Sequence, residues 1–327
     1  MSSYSVNAKV IDEKGNPLPE VIMIFKKFAP ILQDSKTIPE ETLQAILQDT
    51  NDTNKYTKPI NLDDLNTLAQ EKFKRPAGVE RRDIAEFNKQ FSPYDTKEVR
   101  ALFKKIGDID EVFPSNKPID YVFINGSTVK GMRDRVMSFV NAFTNTNQQH
   151  PLNLTKNVQI VFLTGDRALY PEEDQKLLLD PYPYKKRPNW QVPSDLPKNE
   201  YEAARFIWEQ LDIPSEIRAL PIVFINAPKP KILRDGLARP HTYDTIVTWL
   251  QENPDAKPGH CLSVSNNPYI YYQQLTLTNA FLEAQLLKQG FSVEGMGRAA
   301  NPNIEIALLL DNLARVLYQE VQRKRML

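Results

Sequence analysis

The chain holds one cysteine, Cys261, and only three histidines, His150, His241 and His260. One cysteine excludes an intramolecular disulfide, which fits a reducing compartment. No two of the histidines have the spacing of a zinc site. There is no Gly-x-Ser-x-Gly elbow, and neither the Walker nor the dinucleotide glycine spacing occurs. Charge of one sign is also missing: 41 basic residues balance 41 acidic ones, where a nucleic-acid binder would show a basic bias. The nearest basic run, Lys72, Lys74, Arg75, Arg81 and Arg82, is interrupted by Glu71, Glu80 and Asp83 and reads as a solvated face of mixed sign. No stretch approaches the roughly 20 apolar residues of a membrane helix, and residues 1–10 lack the apolar centre of a signal peptide. Together these absences lead to the expectation of a soluble, cytoplasmic chain with no nucleic-acid partner, no membrane span and no metal motif.

What is present suffices for a substantial core: 327 residues, 41% of them hydrophobic, enough for one large domain or two ordinary ones. Composition changes near residue 115. Residues 1–115 read as a mainly helical accessory region, a candidate surface for a protein partner. Helix starts stand at Pro39, since proline is tolerated in a first turn, at Asn61, with Leu62, Leu65 and Leu68 three apart, and at Thr96. Residues 6–24 read as two short strands around the turn Lys14-Gly-Asn-Pro.

Residues 116–327 follow a different pattern. Tyr121-Val-Phe-Ile, Val158-Gln-Ile-Val-Phe-Leu, Pro221-Ile-Val-Phe-Ile and Cys261-Leu-Ser-Val are short, nearly continuous apolar runs, and Phe291-Ser-Val-Glu-Gly-Met is a fifth candidate. Strands buried on both faces need such runs. Helical spacing fills 133–143, 200–211, 243–251, 271–289 and 303–323. Strand and helix in alternation predict an open, mainly parallel, Rossmann-like α/β sheet with helices on both faces. Proline-rich residues 180–197 form a long loop, and loops of that size are often functional.

In such sheets ligands collect beyond the carboxyl ends of the strands, so the residues there are the candidates. The first run ends in Asn125-Gly126-Ser127, with Arg133 and Arg135 on the helix that follows. Backbone N–H groups at a helix start favour an anion, and the arginines can add charge-assisted bonds; the plainer alternative is a strand-to-helix turn with solvated arginines. The second run ends in Thr164-Gly165-Asp166-Arg167, where the last two either orient a ligand or a metal-bound water or pair with each other. The fourth ends in Ser265-Asn266-Asn267, with Tyr269 positioned to stack on a planar ring or simply to cover the sheet edge. Glu200 and Glu202 open one helix, where the helix dipole alone explains acidic residues. His241, Thr242 and Asp244 open another, with Thr242 as cap and His241 as either a general base or a structural hydrogen-bonder.

In order, these segments resemble the bacterial SanA/YdcF/ElyC-like family, domain of unknown function 218. Ile124-Asn-Gly-Ser followed by Arg133 or Arg135, Leu163-Thr164-Gly165, Glu200 to Glu202, Leu211-Asp-Ile-Pro214, Thr242-Tyr243-Asp244-Thr245, Leu262-Ser-Val-Ser265 and Gly290-Phe291 occupy the places of that family's motifs. Asn266-Asn-Pro-Tyr-Ile-Tyr-Tyr stands where the family carries His and Arg, and Asp244-Thr245 where it carries Glu-Asn. The resemblance spans residues 118–298 and implies a Rossmann-like fold with its pocket at the strand ends. The expected function is binding of a small, nucleotide-like or phosphorylated ligand, with a nucleotide or S-adenosylmethionine as conceivable cofactor and enzymatic action left open. Asp166 and Asp244 are the candidates for acid/base or metal roles, with Glu200 after them, and the other residues named at the strand ends are the ligand contacts. The alternative is an interaction protein that keeps the fold without the chemistry.

Overall fold

The computed structural model describes residues 9–47, 60–144, 152–231 and 236–327. Its contacts divide the chain into two compact units: residues 1–110, 267–275 and 299–327 in one, residues 111–266 and 276–298 in the other.

Among the described residues of the first unit, the longer helices are α1 (Pro19–Lys27), α2 (Glu40–Leu47), α3 (Leu62–Lys72) and α4 (Lys97–Lys105). Asn61 and Thr96 cap α3 and α4 by accepting the N–H of Asp64 and Val99, the role their short oxygen-bearing side chains favour. The two strands expected over residues 6–24 are not there (residues 6–8 lie outside the described residues). The Lys14-Gly15 turn does form, closed by Asp12, whose carboxylate accepts from Lys14 N and Asn16 N. Only an isolated bridge, Ile11 to Pro17, crosses it. Pro17 and Pro19 lack the N–H a ladder needs, and Pro19 instead occupies the first turn of α1, where its fixed φ suits a helix.

The C-terminal helix, Ile306–Met326, also belongs to this unit rather than to the sheet that precedes it in sequence. It packs on α3, where Leu309, Leu310, Leu313 and Leu317 join a buried cluster with Leu65, Leu68, Phe25, Phe28, Phe73 and Phe91. Its fully buried Asp311 accepts from Arg75 Nη1 at 2.8 Å and from Arg315 Nε at 3.0 Å, pairing a charge that could not otherwise be buried.

The second unit is an open Rossmann-like α/β sheet. Strands β1 (Ile119–Asn125), β2 (Leu154–Gly165), β3 (Ile222–Ala227), β4 (His260–Asn266) and β5 (Ser292–Arg298) lie in the order β3-β2-β1-β4-β5, every pair parallel. Helices α5 (Val129–Thr144), α6 (Glu200–Gln210), α7 (Thr242–Glu252) and α8 (Ile270–Glu283) lie between successive strands, and we number the C-terminal helix α9. Alternate strand residues face opposite sides. Val122, Ile124, Ile160, Phe162, Leu262 and Val264 pack with α5 and α6, while Phe123, Val161, Leu163, Ile225 and Cys261 pack with Trp249 of α7 and Phe281 of α8. Burial on both faces is why the strands read as unbroken apolar runs. The chain leaves β1 toward β2 and later returns to lay β4 on the other side of β1, which makes the β1–β4 boundary the switch point of the sheet.

Candidate strand-end site

At the switch point Asn125 ends β1. Its buried Nδ2 donates to Ser263 Oγ (2.9 Å) and to Val264 O (3.0 Å) of β4. Arg135, on α5, closes the same boundary: Nη1 donates to Asn125 O (2.8 Å) and Gly126 O (2.5 Å), while Nε and Nη2 both reach Asn266 Oδ1 (3.1 and 3.0 Å). The structure thus brings together Asn125, Gly126, Arg135 and Asn266, four of the expected ligand contacts, and here they serve one another.

Arg133 is elsewhere. Residues two apart on a helix point about 200° apart, so the two arginines cannot share a target. Arg133, 2% exposed, donates to Leu177 O, Leu178 O, Asp180 O and Gln210 Oε1 at 2.7–3.0 Å. It pins the segment before the proline-rich loop to α6. Burial pulls its guanidinium pKa down to about 10 against the pull of Asp180.

The β2 loop adds the charges. Thr164 is fully buried and donates to Ile225 O of β3 (2.6 Å). Gly165 has no room for a side chain, since a Cβ would fall 2.3 Å from Pro240 Cγ and 2.9 Å from Ala227 O. Asp166 is half-exposed, with Lys229 Nζ 3.6 Å from its carboxylate. Arg167 turns inward: Nη1 donates to Glu173 Oε2 (2.9 Å), Nη2 to Ser127 O (3.0 Å), and Nε lies 3.5 Å from Glu200 Oε1. Tyr170 stacks on its guanidinium at 4.4 Å. The mutual pair expected as one alternative for Asp166 and Arg167 does not form, since each has other partners.

Glu173 is the residue that sequence reasoning missed. Its Oε1 accepts the Val129 N–H at 2.6 Å, at the start of α5, and its Oε2 accepts from Tyr170 N at 2.9 Å. The anion expected at that helix start is thus supplied by the chain itself. Nothing in Tyr170-Pro-Glu-Glu-Asp marks this role, because the contact spans 44 residues.

Glu200, the first residue of α6, is buried between the β1 and β2 loops. A Cβ on Gly126 would lie 2.9 Å from its Oε1 and 2.8 Å from Leu163 O. Burial raises its pKa, opposed in turn by Arg167, Arg239, Arg135 and the Gly165 N–H, and burial wins. Three arginines, Arg167, Arg239 and Arg135, thus act on the Glu200 carboxyl, and Arg167 also pairs with Glu173. A buried acid with a shifted pKa beside specific charge partners is a mark of functional sites.

The α7 candidates resolve as capping groups. His241, not Thr242, is the N-cap; its N–H donates to Asp244 Oδ2 (2.8 Å) and its side chain accepts the Asp244 N–H. This reciprocal pair satisfies two otherwise orphaned helix-start donors. It matches the structural alternative for His241 and gives Asp244, an acid/base candidate, a capping bond. Thr242 opens the helix and its carbonyl accepts from Thr245 Oγ1 (2.8 Å). Ser265 is fully buried at the end of β4, its hydroxyl without a hydrogen-bond partner. Asn267 and Tyr269 belong to the first unit. Asn267 Nδ2 donates to Gly107 O (2.9 Å) and Asp110 O (2.5 Å), and Tyr269 lies under the Arg81 guanidinium at 3.9 Å.

The proline-rich loop borders a cavity of about 710 Å³ along the outer side of α6, lined among others by Arg187, Trp190, Leu196, Arg205 and Phe206. Among the described residues no cluster of His, Cys, Asp and Glu is arranged to hold a metal ion, and no helix is long and apolar enough to cross a membrane.

Compared with protein-family models, curated proteins and solved structures, the chain matches nothing. The site's own geometry must therefore carry the functional reading.

Proposed function

We propose that this chain binds a small anionic ligand, nucleotide-like or phosphorylated, at the carboxyl ends of β1 and β2. The observation that carries the reading is the buried Glu200 carboxyl, held among Arg167, Arg135 and Arg239 directly behind two glycines, Gly126 and Gly165, that have no space for a side chain. Glycine at these points lets Glu200 and Pro240 pack directly on the backbone of the strand-end loops, and the guanidinium groups gathered around that carboxyl favour an anion. If the site is catalytic, Glu200 is the proton-holding group, since its raised pKa keeps it protonated to higher pH than an ordinary carboxylate. The order of motifs shared with the SanA/YdcF/ElyC-like family supports the same placement. A reducing, intracellular location belongs to this proposal and is supported by the single, free and buried Cys261.

A second reading, an interaction protein that keeps the fold without the chemistry, is favoured by one observation. Arg133, Arg135, Arg167 and Glu173 already satisfy one another and the loop carbonyls, so the strand ends hold together without a ligand. A thermal-shift series with inorganic phosphate, AMP, ribose 5-phosphate, S-adenosylmethionine and Mg²⁺ separates the two. A ligand at 100 times its Kd stabilises by about 2.7 kcal/mol, a shift of a few degrees for a chain of this size. The expected result is such a shift with at least one phosphorylated probe, reduced in Arg239→Gln. No shift with any probe at millimolar concentration removes the binding reading and leaves the second.

A further inference from the structure

A second polar constellation lies at the opposite edge of the sheet, where β4 and β5 begin. His260, the first residue of β4, pairs in register with Ser292, the first residue of β5, and Leu262 pairs with Glu294. Residues in register on neighbouring strands share a face, and so do residues two apart. Ser292, His260 and Glu294 are therefore placed side by side by the sheet itself. His260 Nδ1 lies 2.7 Å from Ser292 Oγ, and Nε2 lies 3.0 Å from Glu294 Oε1. The latter contact is one of ion-pair distance, and neither Nε2 nor Oε1 makes a hydrogen bond among the described residues. The remaining atoms are braced: His260 N donates to Asp120 Oδ2 (2.8 Å), and Ser115 N donates to Glu294 Oε2 (3.0 Å). Burial would raise the Glu294 pKa, but His260 and Ser115 outweigh it and hold the carboxylate below its usual range. His260 and Glu294 are buried while Ser292 is exposed, so the relay runs from the interior to an accessible hydroxyl.

We propose that Ser292, His260 and Glu294 form a nucleophilic relay that cleaves activated carboxylic esters. A hydroxyl, a base and a carboxylate that orients the base are recognised by geometry rather than by order in the chain. Ser292 Oγ attacks the ester carbonyl carbon and passes its proton to His260 Nδ1, and the ester C–O bond breaks to release the alcohol portion, which takes that proton. Water then attacks the acyl-serine, its proton passing through His260 Nδ1 to Ser292 Oγ as the carboxylic acid leaves. Glu294 stays ionised throughout and, at ion-pair distance from Nε2, stabilises the transient imidazolium. The sum is ester plus water to acid plus alcohol, with no other reactant.

The full-length chain is treated with p-nitrophenyl acetate and, separately, with a fluorophosphonate, and modified residues are located by peptide mass spectrometry. Release of nitrophenolate with acetyl or phosphonyl on Ser292 is the expected result. The rate should fall to the level of buffer in Ser292→Ala, and by about 100-fold or more in His260→Gln, the usual contribution of a general base. Glu294→Gln should lie between. Acetylation confined to lysines overturns the proposal, as does fluorophosphonate labelling that is absent from Ser292 or unchanged in His260→Gln. Should His260→Gln fail to fold, the exposed Ser292→Ala decides the matter by itself.

Discussion

The reassignment of Arg133 from ligand contact to internal brace can be tested by truncation. Arg133→Ala removes four hydrogen bonds, three to backbone carbonyls and one to Gln210 Oε1. An acceptor left buried and unpaired costs roughly 1–3 kcal/mol. The sum overstates the loss, because Leu178 O keeps a second donor in Gln210 Nε2 at 2.8 Å and the segment can relax. A cost of about 4 kcal/mol is expected, in the range found when one partner of a buried polar network is removed. That is a large fraction of the roughly 5–15 kcal/mol that holds a domain together. All three tryptophans, Trp190, Trp208 and Trp249, lie in the second unit, so their fluorescence during urea unfolding reports on the unit in question. The midpoint should fall with little change in slope. Arg133→Lys should recover only part of the loss, since a point charge cannot fork to four acceptors. A change below about 1 kcal/mol, accompanied by loss of the phosphate-probe thermal shift, would refute this reasoning and return Arg133 to a binding role.

Two further outcomes follow from single carboxyl groups. Asp108 is buried with Asn312 Nδ2 at 3.2 Å as its hydrogen-bond donor, and burial pushes its pKa up from 3.8 to about 8. The folded state therefore holds a proton that the unfolded chain releases, so stability is fully present below about pH 4 and is lost as pH rises toward 8, at up to about 1.4 kcal/mol per unit. Asp108→Asn should flatten that slope in unfolding measured between pH 5 and pH 8, and an unchanged slope would place the titration elsewhere. Asp244→Ala should cost about 1 kcal/mol as a lost helix cap while leaving any phosphate-probe shift intact; loss of the shift at unchanged stability would restore Asp244 as a site residue.

Strands β1, β2 and β4 were legible because their apolar runs are buried on both faces. Tyr121 to Ile124, Val158 to Leu163 and Cys261 to Val264 fall inside β1, β2 and β4, with no solvent-facing alternation to confuse them. The helix starting at Asn61 was legible for a different local reason, the helical spacing of Leu62, Leu65 and Leu68. Residues 6–24 misled because the turn is real while the two prolines that follow prevent a ladder. The site was harder. Asn125, Gly126, Arg135, Arg167, Glu200 and Asn266 were located by one topological rule, that polar loops gather at strand ends.

That rule gives a location but no directions. Which way Arg133 and Arg135 turn depends on what packs against each side of α5, and the Glu173–Val129 bond depends on where a loop 44 residues later comes to rest. The Ser292–His260–Glu294 line has no local signature, since it exists only because β4 and β5 pair in one register. Local patterns of burial and capping therefore determined the layers of this protein. Tertiary packing decided the partner of each buried charge, because a polar side chain removed from water must bond to whatever the fold brings beside it.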